Sequence, residues 1–142
     1  FRGESGFGNA TGSFDGKAVA PLMGKFVETG FEGGWSHGTL SPQVYFDLYP
    51  DYFVSFRFCP ADRLETQVEL SWYVLEGAVE ADTYERERLV GLINATYEED
   101  VKILCHQQHG VLSSVYSPGQ YALNEQWLAD FSQWYLRNFT RV

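Results

Sequence analysis

Apolar residues recur along this chain with two different periods, and the change between them marks out its elements. From residue 44 to residue 75 the period is two. Val44–Leu48 (VYFDL), Tyr52–Phe58 (YFVSFRF) and Glu65–Leu75 (ETQVELSWYVL) are rich in aromatic and β-branched residues, the types that suit a pleated, half-buried surface. Tyr49-Pro50-Asp51 and Pro60-Ala61-Asp62-Arg63 supply turns between them. Connections this short predict an antiparallel meander. In the second segment Tyr52, Val54, Phe56 and Phe58 share one face, while Phe53, Ser55 and Arg57 take the other. In the third, Val68, Leu70, Trp72 and Val74 form an apolar row against Gln67, Glu69, Ser71 and Tyr73. The predicted sheet therefore has one strongly apolar face.

From Asp82 to Ser113 the period lengthens to that of a helix. Asp82 is placed to cap its start, with Glu85 at capping-box spacing, and Ser117-Pro118-Gly119 is a firm stop. At about 100° per residue, Leu89, Ile93, Leu104 and Val111 fall within roughly 40° of one direction. Asp100 lies in the middle of that stripe, while Glu98 and Glu99 point away from it. Burying an ionised, unpaired carboxylate costs several kcal/mol of solvation, so a buried Asp100 needs a cation, a dense hydrogen-bond shell or a proton. A bond to buried backbone or to an Arg, or a break in the helix that exposes the group, satisfies the pattern equally well. Gln107 lies within about 20° of the Asp100 direction and Gln108 near 80°. Either amide is placed to orient a carboxylate or a bound water, or to sit at the helix edge.

A second amphipathic helix is predicted over about Leu123–Phe139, with Leu123, Trp127, Phe131, Trp134 and Tyr135 on its buried side and Asn124 as cap. Residues 1–20, rich in Gly and Ser, read as a surface loop with few core anchors. Pro21–Leu40 reads as short extended pieces broken by Gly24, Gly30 and Gly33-Gly34, in which Trp35, Ser36, His37 and Gly38 lie on a strand or at a pocket mouth. Strands followed by helices indicate an α+β fold.

At 142 residues the chain is long enough for one real core, and its 44% hydrophobic content argues against disorder. A formal net charge of −9 disfavours nucleic acid and anionic membrane surfaces and suits a cationic substrate or a basic partner. No apolar run reaches the length of a membrane span and no signal-peptide pattern opens the chain. The opening Phe1 and the loop-like residues after it predict a piece of a longer protein, beginning in the middle of a domain. Cys59 and Cys105 lack metal-type spacing and read as free, mostly buried thiols in a reducing, cytoplasmic setting. N-x-Thr triplets at Asn9, Asn94 and Asn138 keep a secreted, glycosylated reading open, which would require a Cys59–Cys105 disulfide.

Catalytic groups are sparse. His106 and His109 face away from Asp100 and read as a surface pair, and His37 reads as a polar loop residue or a pocket liner. Ser113 and Ser114 lack the strand-turn-helix setting of a nucleophile, and Gly33-Gly34 is too little for a phosphate loop. By its residues alone the chain presents one unusual carboxylate and no complete catalytic set.

Those same residues carry a family pattern. Glu99-Asp100-Val101-Lys102-Ile103-Leu104, then Gln108-x-Gly110, Ser113, Tyr116 and Pro118-Gly119, resembles the C-terminal part of the α subunit of Rieske non-haem iron ring-hydroxylating oxygenases. Glu125 and the aromatic segment Phe131–Leu136 complete that pattern. Leu48-Tyr49-Pro50-Asp51, Phe58-Cys59-Pro60 and Thr66-x-Val68-x-Leu70-x-Trp72 resemble the family's strand–turn–strand segment. The resemblance spans about Val44 to Phe139 and is nearest the branch of choline- and betaine-type monooxygenases.

The resemblance implies a partial helix-grip (START-like) domain in which an antiparallel sheet packs on the long helix. It implies a mononuclear Fe(II) held by two His and one Asp, a set that leaves coordination positions open for O2. The Asp of the family's E-D pair maps to Asp100, with Gln107 or Gln108 behind it, and the iron would be the missing cation. Trp35 and Phe58 are expected to line the pocket. A [2Fe–2S] Rieske cluster, a reductase or ferredoxin donor, a small organic substrate, O2 and a homotrimer are implied for the full-length protein. The family's upstream His pair and the Cys-His pairs of the Rieske domain have no counterpart here, so the chain is expected to be the C-terminal part of the catalytic domain and inactive alone. The competing reading is a non-enzymatic helix-grip module for a hydrophobic ligand, in which Asp100 would be hydrogen-bonded within the chain.

Overall fold

A computed structural model of the protein describes residues 2–3, 11–24, 26, 35–40 and 42–139. Among these residues five strands, β1 (Arg2–Gly3), β2 (Trp35–Leu40), β3 (Val44–Leu48), β4 (Phe53–Asp62) and β5 (Glu65–Tyr73), precede two helices, α1 (Arg86–Val111) and α2 (Gln126–Phe139). The strands form one antiparallel sheet in sequence order. The fold is α+β, and the chain divides into two compact units, Phe1–Asp100 and Val101–Val142. Asn9, Gly30, Gly33-Gly34 and Thr140, singled out in the sequence, lie outside the described residues.

In the first unit the period-two pattern of β4 and β5 becomes a two-faced sheet. Val54 pairs with Trp72 and Phe56 with Leu70, so both sets of apolar residues share the inner face. Tyr52 and Val54 are fully buried, and with Val19, Phe56, Leu89 and Ile93 they form the core. Each such side chain contributes about 1.5–3 kcal/mol by leaving water. Rings extend that core sideways: Phe56 lies 5.4 Å from Tyr45 and 6.1 Å from Tyr97 of α1 between centroids. On the opposite face Phe46, Phe53 and Tyr73 form a second aromatic row. Gly38 permits this packing, because a Cβ there would lie 2.6 Å from the Phe46 ring.

Several expectations are corrected. The turn expected at Pro60–Arg63 is shorter, because β4 runs on to Asp62 with a register shift between Pro60 and Asp62. Proline is tolerated there for a geometric reason. The Phe58 N–H donates to the Gln43 carbonyl at 2.8 Å, so alternation aims the nitrogen of residue 60 the same way, past the end of β3, where no ladder bond is lost. Asp82 does not cap α1: it sits in a turn, Ala81 before it takes φ 64°, and the helix begins only after Glu85. Thr83 holds that turn instead, its Oγ1 accepting from the Val79 N–H at 2.8 Å. In α2 the helix starts at Gln126, Leu123 lies outside it and fully exposed, and none of its residues is fully buried. Glu125 replaces Asn124 at its start, accepting from the Ala122 N–H at 2.6 Å. Cys59 is half-buried and Cys105 exposed, rather than both buried, and both thiols are free, so the disulfide of the secreted reading is not formed.

The largest correction concerns residues 11–20, which are anchored rather than loose. Asp51 is fully buried; its Oδ1 accepts from the Thr11 hydroxyl and its Oδ2 from the Val19 N–H at 2.7 Å. The Tyr52 hydroxyl donates to the Gly12 carbonyl at 2.7 Å, and a Cβ at Gly12 would fall 2.6 Å from the Tyr49 ring. The β3–β4 corner thus clamps the segment that delivers Val19 to the core. An exposed pair, Arg88 to Asp15 at 3.0 Å, adds a weaker tie to α1. Substituting Asp51→Ala strands a buried N–H and a hydroxyl and is expected to cost about 2–3 kcal/mol. Hydrogen exchange of the Val19 amide checks this: protection should fall about 30-fold or more, and Arg88→Ala should leave it nearly unchanged.

Candidate functional site

The inner face of the sheet carries polar groups as well as core. The pairings His37–Asp47, Asp47–Val54 and Val54–Trp72 place these four side chains in one row across β2, β3, β4 and β5. The adjacent row is Thr39, Tyr45, Phe56 and Leu70. His37, expected on a strand, at a pocket mouth or in a loop, lies on strand β2 with its ring 4.5 Å from Trp35 and 5.8 Å from Tyr45. Trp35 and Phe58, expected to line a pocket, are half-buried on β2 and β4; Trp35 touches this cluster and Phe58 packs against the core.

Asp47 is the unusual member. It is only 8% exposed, and its Oδ1 has no hydrogen-bond partner among the described residues; nor has the buried Trp72 Nε1. Burial raises the Asp47 carboxyl above its ordinary value, partly offset by a hydrogen bond from Tyr45 and by the nearby His37. The same burial, reinforced by Asp47, raises the Tyr45 phenol and pushes Tyr49 up to about 12, so both remain neutral donors at physiological pH. The sequence does not single out Asp47, because alternation in VYFDL groups it with Tyr45 against Val44, Phe46 and Leu48 without saying which face is buried. Its pairing partner, not its own pattern, settles which way it points.

Asp100 is on α1, three residues beyond Tyr97, whose half-buried ring meets Phe56 and whose phenol is raised by burial and by the Asp100 charge. The expected apolar stripe is buried only in its first turns, at Leu89 and Ile93. From Glu98 on every residue of α1 is exposed, with Leu104 at 54% and Val111 at 39%. Asp100, Gln107 and Gln108 are therefore exposed. No described ion pair engages Asp100, so the internally bonded Asp of the binding-module reading is not found. His106 and His109 are exposed, as expected of a surface pair.

An iron site of two His and one carboxylate needs three converging ligands. Among the described residues no group of three or more His, Cys, Asp or Glu side chains converges in that way. These residues do not by themselves fit the implied iron, and Asp100 offers a single carboxylate. No described helix is long and apolar enough to cross a membrane.

The Asp47 environment has a pH consequence. A raised folded-state carboxyl holds its proton more tightly than the unfolded chain does, so its contribution is best at low pH. Stability is lost as pH rises from the ordinary aspartate value through the raised one, then levels off. Asp47→Asn is expected to remove that loss, so the difference in unfolding midpoint between variant and wild type should grow in the variant's favour from about pH 4 toward pH 7.

Comparison with known proteins bears on the whole of this arrangement. Residues 15–141 match the family described as ring hydroxylating alpha subunit (catalytic domain). The chain is 31% identical over 86 residues, 60% of its own length and 20% of the relative's, to a glycine betaine monooxygenase oxygenase subunit of Pseudomonas aeruginosa. It is 27% identical over 121 residues, 84% of its length and 25% of the relative's, to a protein of the same name from Chromohalobacter salexigens. It therefore spans a fifth to a quarter of the length of these curated relatives. With a family match running from the clamped loop through the sheet and both helices, the chain belongs to the catalytic-domain family of ring-hydroxylating oxygenase alpha subunits.

Proposed function

We propose that this chain is the C-terminal part of the catalytic domain of a terminal oxygenase that hydroxylates or demethylates a small organic substrate, in particular a quaternary amine of the glycine betaine type. The observation that carries the reading is the family match over residues 15–141, supported by the two relatives named above. In the full-length protein, a cytoplasmic helix-grip domain would hold mononuclear Fe(II), and a Rieske domain would carry a [2Fe–2S] cluster fed by a reductase or ferredoxin. The full-length subunit would assemble as a homotrimer. The metal would supply O2 activation. The part of this chain is the wall of the substrate pocket and one ligand, Asp100, backed by Gln107 or Gln108.

Exposed apolar surface supports this placement. Ile103, Leu104, Leu112 and Val115 in and after α1, and Trp127, Phe131 and Phe139 in α2, are all exposed. Surface of that kind marks contact with further protein.

Two measurements test the reading. In the full-length protein Asp100→Ala is expected to remove mononuclear iron and lower turnover by more than about 100-fold, while the [2Fe–2S] absorption persists. Full iron occupancy in that variant would sink the assignment. The 142-residue chain alone is expected to show no stoichiometric Fe(II) binding and no turnover, since one exposed carboxylate is a poor site; tight binding would mean that its ligands lie within the chain.

A further inference from the structure

The inner-face row holds a buried carboxylate that Tyr45 and the nearby His37 answer only in part. Asp47 is more than nine-tenths buried, and one of its oxygens has no hydrogen-bond partner among the described residues. The ion pairs found among the described residues, Arg57–Glu69 and Arg88–Asp15, are exposed and engage other carboxylates. A buried carboxylate in this state is costly unless a cation comes to it. Around it on the same face stand aromatic rings: Tyr45 two residues before it, Trp35 beyond His37 on β2, and Trp72 two strands away. Trp35, His37 and Tyr45 are only partly buried.

The chemistry of this wall selects among cations. A divalent metal needs several oxygen, nitrogen or sulfur ligands together, and no such group converges among the described residues. A primary ammonium brings three N–H donors that each need an acceptor, and one carboxylate among rings does not supply three. A quaternary ammonium has no N–H to satisfy, spreads its charge over methyl groups, and is attracted by ring faces and by a nearby carboxylate alike. A net charge of −9 favours the approach of such a ligand.

We propose that Asp47, flanked by Trp35, Tyr45 and Trp72 on the inner face of the sheet, is the group that selects a quaternary ammonium substrate over a neutral one of the same shape. This rests on the oxygenase reading and deepens it by assigning specificity to residues of this chain. Asp47 acts through charge and the rings through their faces. Neither exchanges a proton or an electron with the ligand.

The test uses the full-length protein and a matched pair of probes, glycine betaine and 3,3-dimethylbutanoate, which carry the same carboxylate and differ in a quaternary nitrogen against a carbon. Calorimetric titration of wild type should show a preference for glycine betaine of about tenfold or more. Asp47→Asn, which keeps the shape and removes the charge, should reduce that preference at least about tenfold. Trp35→Leu, which leaves the carboxylate in place, should reduce it about threefold or more and keeps the test decisive should Asp47→Asn fail to fold. An unchanged preference in the folded variants overturns the proposal and would mean that His37 or a cation from the rest of the protein already neutralises Asp47. Failure of wild type to prefer glycine betaine also overturns it. Binding needs no turnover, so the two readings separate. A shifted preference in a protein that oxidises neither probe removes the oxygenase reading and keeps this one, whereas turnover of glycine betaine with an unchanged preference does the reverse.

Discussion

The packing of Val54 and Phe56 against Leu89 and Ile93 is the contact on which the first unit depends. Side chains alternate strictly along a strand, so this one contact decides the direction of every residue in the sheet. Slipping β4 by a single residue would turn Phe53, Ser55 and Arg57 inward and expose the core. Because β3 pairs with β4 and β2 with β3, the decision passes outward residue by residue. Val54 inward puts Asp47 inward, and Asp47 inward puts His37 inward. A hydrophobic contact thereby orients polar groups that contribute nothing to it.

Two buried aspartates four residues apart show how differently such groups are treated. Asp51, at the β3–β4 corner, accepts from a backbone N–H and a hydroxyl and is fully engaged in holding residues 11–20 over the core. Asp47 lies on the regular part of β3, where its backbone groups serve the ladder and its side chain is left among rings with one oxygen unanswered. Desolvation costs both, and hydrogen bonds repay it at both oxygens of Asp51 but only in part for Asp47. Groups in the first condition hold a fold together. Groups in the second are where a ligand has something to gain.

What the sequence discloses follows the strength of each physical signal. The alternation in β4 and β5 and the stripe at Leu89 and Ile93 are carried by many apolar residues, and they appear in the structure as read. The anchoring of residues 11–20 was illegible, because it is made by Thr11, the Gly12 carbonyl and the Val19 N–H, none of which differs in sequence from ordinary loop. The start of α1 was misread because Asp82 and Glu85 have capping-box spacing, while a Thr83 turn with Ala81 at positive φ competes for the same backbone and wins. Asp47 was hidden because alternation in β3 does not say which face is buried, so that facing is a property of pairing. Asp100 was conspicuous, yet its environment was not legible: a stripe announces that something covers it, not what does so.

That stripe links the two acids through a common argument. Beyond Glu98, α1 keeps its helical form with its apolar positions exposed. Once its first turns are nucleated on the sheet, each further residue adds a hydrogen bond at little cost, so helix there does not require a partner. Any surface that covers Leu104 and Val111 would also withdraw water from Asp100, which shares their direction. On the iron-ligand role proposed for Asp100, covering the helix and supplying a cation would then be one event, since either alone leaves a bare buried charge or an unsupported ligand. On the proposal made for it, Asp47 meets the same constraint on the sheet, where a cationic substrate would bring the charge.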